Sequence, residues 1–299
     1  MRFLAAALCL SALVLAQDEP RFKTSASFAK VSNRRTQPGG GLVFVGPQDA
    51  LYINWFLGNH SGAVLQLLSP GESLAVRLET ADGRSVPMMT TVEPEMHLWT
   101  RSQISPYEPL GAVEVEDGQS VGLHTVTRRA SGQPIPPGEY RVTFDIDGRA
   151  AFQPIPVIIA PLDTAASEIE YLHIEAAFHM GHDPDKVLEL RKAVVTLPGA
   201  QVTDRMALGK AYAELGRHQE AVRIFDPILP ELVESVRRGS LIREGRHLRQ
   251  IAPSYLAVGR QDTALRLLEA DGVAMPSSQI PGMLKMLSSR EPQRHPWYR

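Results

Sequence analysis

From about Arg21 to Ala160 the chain alternates apolar and polar residues with a period of two. Leu74, Val76 and Leu78 are interleaved with Ala75, Arg77 and Glu79, and Tyr140, Val142, Phe144 and Ile146 with Arg141, Thr143 and Asp145. Each segment can bury one face and wet the other, as half-buried antiparallel strands do. Turn formers separate such runs at Pro70-Gly71, Asp82-Gly83, Asp117-Gly118 and Pro136-Pro137-Gly138. Asp147-Gly148, between two strand patterns, predicts a two-residue hairpin whose central positions need positive φ. Further strands are predicted at Leu42–Val45, Leu51–Leu57, Ala63–Leu68, Ala112–Val115, Val121–Thr127 and Ala151–Ile159. About eight short strands with regular turns predict an all-β sandwich.

After Pro161 the prolines thin out and apolar residues recur at helical spacing, with Asp163 or Thr164 placed to cap the first helix. The fold class expected is therefore an all-β sandwich followed by an all-α helical array. The expected layout is a leader over 1–16, the sandwich over 17–160, the helical domain over 161–288 and a tail over 289–299.

The helical half repeats itself. Leu208, Gly209, Tyr212, Gly216, Ala221 and Phe225 are followed by Tyr255, Gly259, Ala264 and Leu268, in which Tyr, Gly and Ala each recur 43 residues later. Small Gly209 and Ala221 let two helices approach, Tyr212 and Phe225 fill the gap, and Gly216 permits a left-handed turn between them. A third, degenerate copy precedes both, with Gly181, Leu190, Ala193 and Pro198 at the later positions but Ala177 where Tyr is expected. The spacing resembles the tetratricopeptide repeat, whose period is about 34 residues. The longer interval predicts an insertion that lengthens a helix over Glu231–Arg246, and a capping helix is expected at Ser277–Leu287.

That resemblance implies a docking protein that binds a polypeptide on the face made by the first helix of each repeat. It maps the docking positions to Glu168, Tyr171, Glu175 and His179, then Thr203, Met206, Lys210 and Glu214, then Arg246 and Arg249. In the first half, the run from Pro136 to Arg149 resembles the last two strands of bacterial immunoglobulin-like or fibronectin-type modules, which act as spacers or adhesive units. The antibody version, with its inter-sheet cysteine pair, is excluded because the sole cysteine is Cys9.

Composition alters the picture in two places. Met1-Arg2, the apolar run Phe3 to Leu15 and Val14-Leu15-Ala16 read as a cleavable export signal with cleavage after Ala16. About 13 apolar residues fall short of the roughly 20 that span a bilayer, so no stable membrane insertion is expected after cleavage. Cleavage removes Cys9 and leaves no thiol, which suits a periplasmic or secreted protein and excludes disulfides and thiolate chemistry. A formal charge of −2 makes nucleic acid a poor partner. Of 31 basic residues 25 are Arg, a balance common in bacterial chains from GC-rich genomes.

The remaining chemistry is sparse. Tyr52, Trp55, Phe56, Trp99 and Tyr107 offer either core or a sugar-stacking platform, since aromatic faces match the apolar faces of sugars. Asn59-His60-Ser61 matches a glycosylation acceptor, read here as chance. Glu170, His173, Glu175, His179, His182 and Asp183 lack the facing glutamates of a di-iron bundle, so neither metal nor cofactor is expected. Arg237, Arg238, Arg243, Arg246, His247 and Arg249 form the one basic concentration, a clamp for carboxylate or phosphate or simply a solvated face. No nucleophile elbow, phosphate loop, dinucleotide fingerprint or zinc helix occurs. The expectation is a non-catalytic scaffold that binds a protein or peptide through its helical groove; the alternative is a glycan-binding or adhesive protein acting through the sandwich.

Overall fold

A computed structural model describes residues 22–32, 41–60, 62–67, 74–92, 96–99, 104–107, 113–146, 149–150, 154–237, 245–270 and 282. The leader, the Asp147-Gly148 turn, the tail and, apart from Gly282, the capping helix expected at 277–287 lie outside these residues. The chain divides into two compact units between Ala160 and Pro161.

The first unit is built of strands: β1 (Phe22–Phe28), β2 (Leu42–Val45), β3 (Leu51–Asn59), β4 (Leu65–Leu67), β5 (Leu74–Thr80), β6 (Ser85–Val86), β7 (Met88–Val92), β8 (Met96–Trp99), β9 (Ile104–Tyr107), β10 (Val113–Val115), β11 (Ser120–Arg129), β12 (Gly138–Ile146), β13 (Arg149–Ala150) and β14 (Ile155–Ala160). One sheet runs β1-β3-β11-β8-β9, with β7 also on β11; the other runs β2-β14-β12-β5-β6, with β13 on β12; β10 and β4 pair separately. All pairs are antiparallel except β14 with β2. Ile146 pairs with Arg149 across the expected hairpin.

The sheets pack face to face because their alternating inner residues interlock. Leu51, Ile53 and Trp55 of the first sheet and Val76, Leu78, Val142 and Phe144 of the second share one buried cluster. The Trp55 and Phe144 rings meet edge to face, centroids 4.4 Å apart at 87°, an arrangement that suits the ring quadrupoles. The buried Trp55 Nε1–H donates to Thr125 Oγ1 at 2.7 Å, so the indole leaves no unsatisfied donor inside.

The second unit holds six helices among the described residues: α1 (Ala165–His179), α2 (Pro184–Thr196), α3 (Val202–Glu214), α4 (His218–Arg237), α5 (Gly245–Ala257) and α6 (Gln261–Ala270). They form three successive hairpins. Thr164 caps α1, its Oγ1 accepting from Ser167 N at 3.1 Å, and Asp183 caps α2. Between paired helices stand Gly181, Gly216 and Gly259, at φ 89°, 71° and 80°. In the second and third hairpins the same two bonds close the first helix: Gly216 N–H to Ala213 and Arg217 N–H to Tyr212, then Gly259 N–H to Leu256 and Arg260 N–H to Tyr255. Both ends are Schellman turns.

Packing repeats too. Ala221 and Ala264 are wholly buried at matching places, and Phe225 and Leu268 lie in the same cluster as Tyr255. A Cβ on Gly209 would sit 2.2 Å from Phe225 Cε1, so glycine is what lets α3 and α4 close. Of the helix expected over Glu231–Arg246, residues 238–244 lie outside the described residues. Residues 231–237 belong to α4, the longest of the six, and 245 and 246 belong to α5. Among the described residues no helix is long and apolar enough to cross a membrane.

Candidate functional site

Strand β3 sorts adjacent aromatics onto opposite faces. Trp55 goes into the core, while Phe56 is 38% exposed on the outer face together with Asn54, which is exposed, and Tyr52, which is half-buried. Strand register sets their neighbours: Phe56 lies between Ser25 of β1 and Gly122 of β11, and Tyr52 beside Val126. Gly122 is in turn paired with His97, and Ser120 with Trp99. Residues two apart on one face are about 6.8 Å apart along a strand, so Tyr52, Asn54 and Phe56 make a row about 13 Å long.

The Tyr52 end of the row is polar. Its hydroxyl donates to Asp49 Oδ2 at 3.1 Å, Lys30 Nζ donates to Asp49 Oδ1 at 3.3 Å, and Lys30 stands 4.9 Å over the Tyr52 ring. Burial and the Asp49 carboxylate push the Tyr52 hydroxyl up to about 12. Burial works against the charge on Asp49, but the Lys30 ammonium and the hydrogen bonds to it outweigh burial and hold this carboxyl below its ordinary value. Both Asp49 and Arg128, the latter on β11, are exposed. The row thus combines an exposed ring, an amide, and a carboxylate and guanidinium at one end.

Asn59, at the end of β3, is 1% exposed. Its Nδ2 donates to the carbonyls of Ala63 and Val115, each at 2.7 Å. Both amide hydrogens are engaged, which leaves no place for a glycan.

In the helical unit the expected docking residues divide. Glu168 and Glu214 are exposed, and Tyr171, Glu175, His179, Thr203 and Lys210 are half-buried. Met206, expected to face outward, is 5% exposed and packs in the core with Ala221, Phe225 and Tyr255; it is no docking contact. Lys210 Nζ donates to Gln250 Oε1, tying α3 to α5. Arg246 and Arg249 fall on α5, and their side chains lie outside the described residues, as do those of Arg237, Arg238, Arg243 and His247.

Other sequence candidates have structural partners. His173 Nε2 meets Asp204 Oδ1 at 2.8 Å and Arg191 meets its Nδ1. His179 and His182 meet Phe178 edge to face, ring centroids 5.4 and 5.9 Å from it. The sequence reading missed a groove of about 1030 Å³ between α4 and α6, the second helices of their hairpins. Leu229, Val233, Leu267 and Ala270 line it beside the ion pair of Arg260 and Asp226, whose shortest contact is 2.7 Å. Its signal was the apolar spacing of α4, which the docking-face assignment did not use.

No protein-family model matches this chain, and no curated protein does. Among solved structures, the carbohydrate-binding module with flanking linkers from the scaffoldin cipA of Clostridium thermocellum is 8% identical, with 44% of this chain and 89% of that chain covered and a TM-score of 0.27. A family IIIA CBD from Clostridium cellulolyticum is 12% identical, with 43% and 94% covered and a TM-score of 0.25. A family 123 glycoside hydrolase from Clostridium perfringens is 9% identical, with 47% and 28% covered and a TM-score of 0.28. Likenesses this slight assign neither family nor function.

Proposed function

We propose that this chain is an exported, non-catalytic binding protein that holds a carbohydrate on the outer face of its first sheet. The observation that carries the reading is the Tyr52-Asn54-Phe56 row: a partly exposed aromatic that can cover an apolar sugar face, followed by hydrogen-bonding groups that can read hydroxyls. Carbohydrate is also the ligand class named for the binding modules above, although the sheet face and not that likeness supports the reading. Export rests on the apolar leader and the thiol-free mature chain, and the lack of catalysis on the absence of nucleophile and phosphate-loop motifs. The test is affinity electrophoresis in gels containing β-glucan, xylan, mannan or pectin. Wild type should be retarded by at least one of them and Phe56→Ala by none, while its far-UV spectrum is kept. A wild type that runs freely through all four gels refutes the reading.

A second reading keeps the tetratricopeptide-like unit as a polypeptide-docking array, favoured by the groove between α4 and α6, whose lining mixes Leu229, Val233, Leu267 and Ala270 with charged side chains. It moves the docking surface from the first helices to the second. Val233→Glu would then abolish capture of a peptide partner and leave gel retardation unchanged.

A further inference from the structure

The contact between the first two hairpins turns on one histidine. His173 stands on α1, and its ring is clasped from two elements: Arg191 of α2 at Nδ1 and Asp204 of α3 at Nε2, the latter at 2.8 Å. An arginine only donates. Nδ1 must therefore accept, and the single ring proton sits on Nε2, donating to Asp204. The other oxygen of Asp204 accepts from Gln201 N at 2.7 Å and caps α3. One neutral imidazole thus joins α1, α2 and the start of α3.

A second proton has only Nδ1 to occupy, where it would face the N–H of Arg191. Lone pair to N–H then becomes N–H to N–H, and two cations touch. The charged groups around the ring leave one compensating acid. Arg191 faces it from α2, where the next residue, Lys192, is turned to Tyr212 at 5.5 Å. Asp204 faces it from α3, with Glu214 acting on Arg191 rather than on the ring. On α1 itself Glu170 lies one turn earlier.

We propose that His173 is a proton-operated latch between the first and second helical hairpins, closed while its imidazole is neutral and released when Nδ1 is protonated. Burial, then the charge of Arg191, lower its pKa from the ordinary 6.5, and these outweigh the pull of Asp204. The unfolded chain then takes up a proton at a higher pH than the folded one does. The latch holds fully above the unfolded value and is lost as pH falls from near 7 toward the folded value.

The experiment is amide hydrogen exchange on the full-length protein from pH 7.5 to 5, corrected for intrinsic rates, comparing α1 and α2 with α5 and α6. Protection in the first hairpin should fall by up to about tenfold per pH unit, the slope of a single proton, while α5 and α6 hold. His173→Gln, whose amide can both accept and donate without taking a proton, should flatten the profile, and H179Q/H182Q should keep it. A flat wild-type profile, an equal fall in α5 and α6, or an H173Q profile as steep as wild type overturns the latch. Should H173Q misfold, ring nitrogen shifts of wild-type His173 decide instead: an Nε2–H tautomer at pH 7.5 supports the latch, and an Nδ1–H tautomer overturns it.

Discussion

Gly209→Ala isolates the close approach on which the helical hairpins depend. In an exposed helix interior this change is favourable by about 1 kcal/mol, because alanine has the higher helix propensity. Here the new Cβ would lie 2.2 Å from Phe225 Cε1 and 2.7 Å from both Cδ1 and Cζ, against ordinary contacts of 3.4–4 Å. Relief requires the ring to retreat by more than about 1 Å, yet Phe225 is fully buried and its ring sits 6.4 Å from that of Tyr255. Overpacking of this kind costs about 1–3 kcal/mol. Three ring atoms inside the limit put it near the upper end, about 3 kcal/mol, so the net loss should be about 2 kcal/mol. Phe225→Leu lacks Cε1 and Cζ, and in that background the alanine should be neutral or stabilising by up to about 1 kcal/mol. A double-mutant cycle, followed by urea unfolding at 222 nm, should therefore show coupling of about 2–3 kcal/mol. Equal losses in both backgrounds, or a stabilised single variant, would refute the close-packing argument.

Three further outcomes follow from single contacts. Trp55→Phe strands Thr125 Oγ1 in the sandwich core and should lose about 1–3 kcal/mol beyond the smaller ring, with Thr125→Val recovering part of it in thermal melts. Asn59→Asp puts a carboxylate against the carbonyls of Ala63 and Val115; burial raises its folded pKa above the unfolded value near 3.9, so the deficit relative to wild type should shrink as pH falls toward 4 and grow as pH rises. Thr164→Ala removes the α1 cap and should cost about 1 kcal/mol, measured as earlier exchange of the first-turn amides with α5 and α6 unchanged.

Legibility in the sequence followed the range of the forces involved. Period-two alternation is local, and β5, β12 and the pairing of Ile146 with Arg149 stand where it placed them. So is the glycine turn, and Gly181, Gly216 and Gly259 all take positive φ. Strands β1, β7, β8 and β9 had weak alternation of their own. Phe22–Phe28 reads Phe-Lys-Thr-Ser-Ala-Ser-Phe, and what makes it a strand is a seven-residue register with β3 that no local window contains.

The sites were less legible than the folds because a face is assigned by partners, not by spacing. Helix α3 buries Leu208 and Ala211 against the first hairpin's cluster and Met206 against the cluster holding Phe225 and Tyr255. A helix with neighbours on both flanks has a wide apolar arc, and a one-face pattern carried over from a repeat family overstates what remains outside. Hence Met206 is core, and of the four positions expected on α3 only Glu214 is exposed. Trp55 and Phe56 pose the same question on a strand. Alternation requires that they face opposite ways and is silent on which one turns inward. The partners settle it: Thr125 meets the Trp55 indole N–H inside, and Gly122 lies beside Phe56. Any carbohydrate site on this sheet therefore depends on which aromatic found a buried hydroxyl, a contact 70 residues away in the chain.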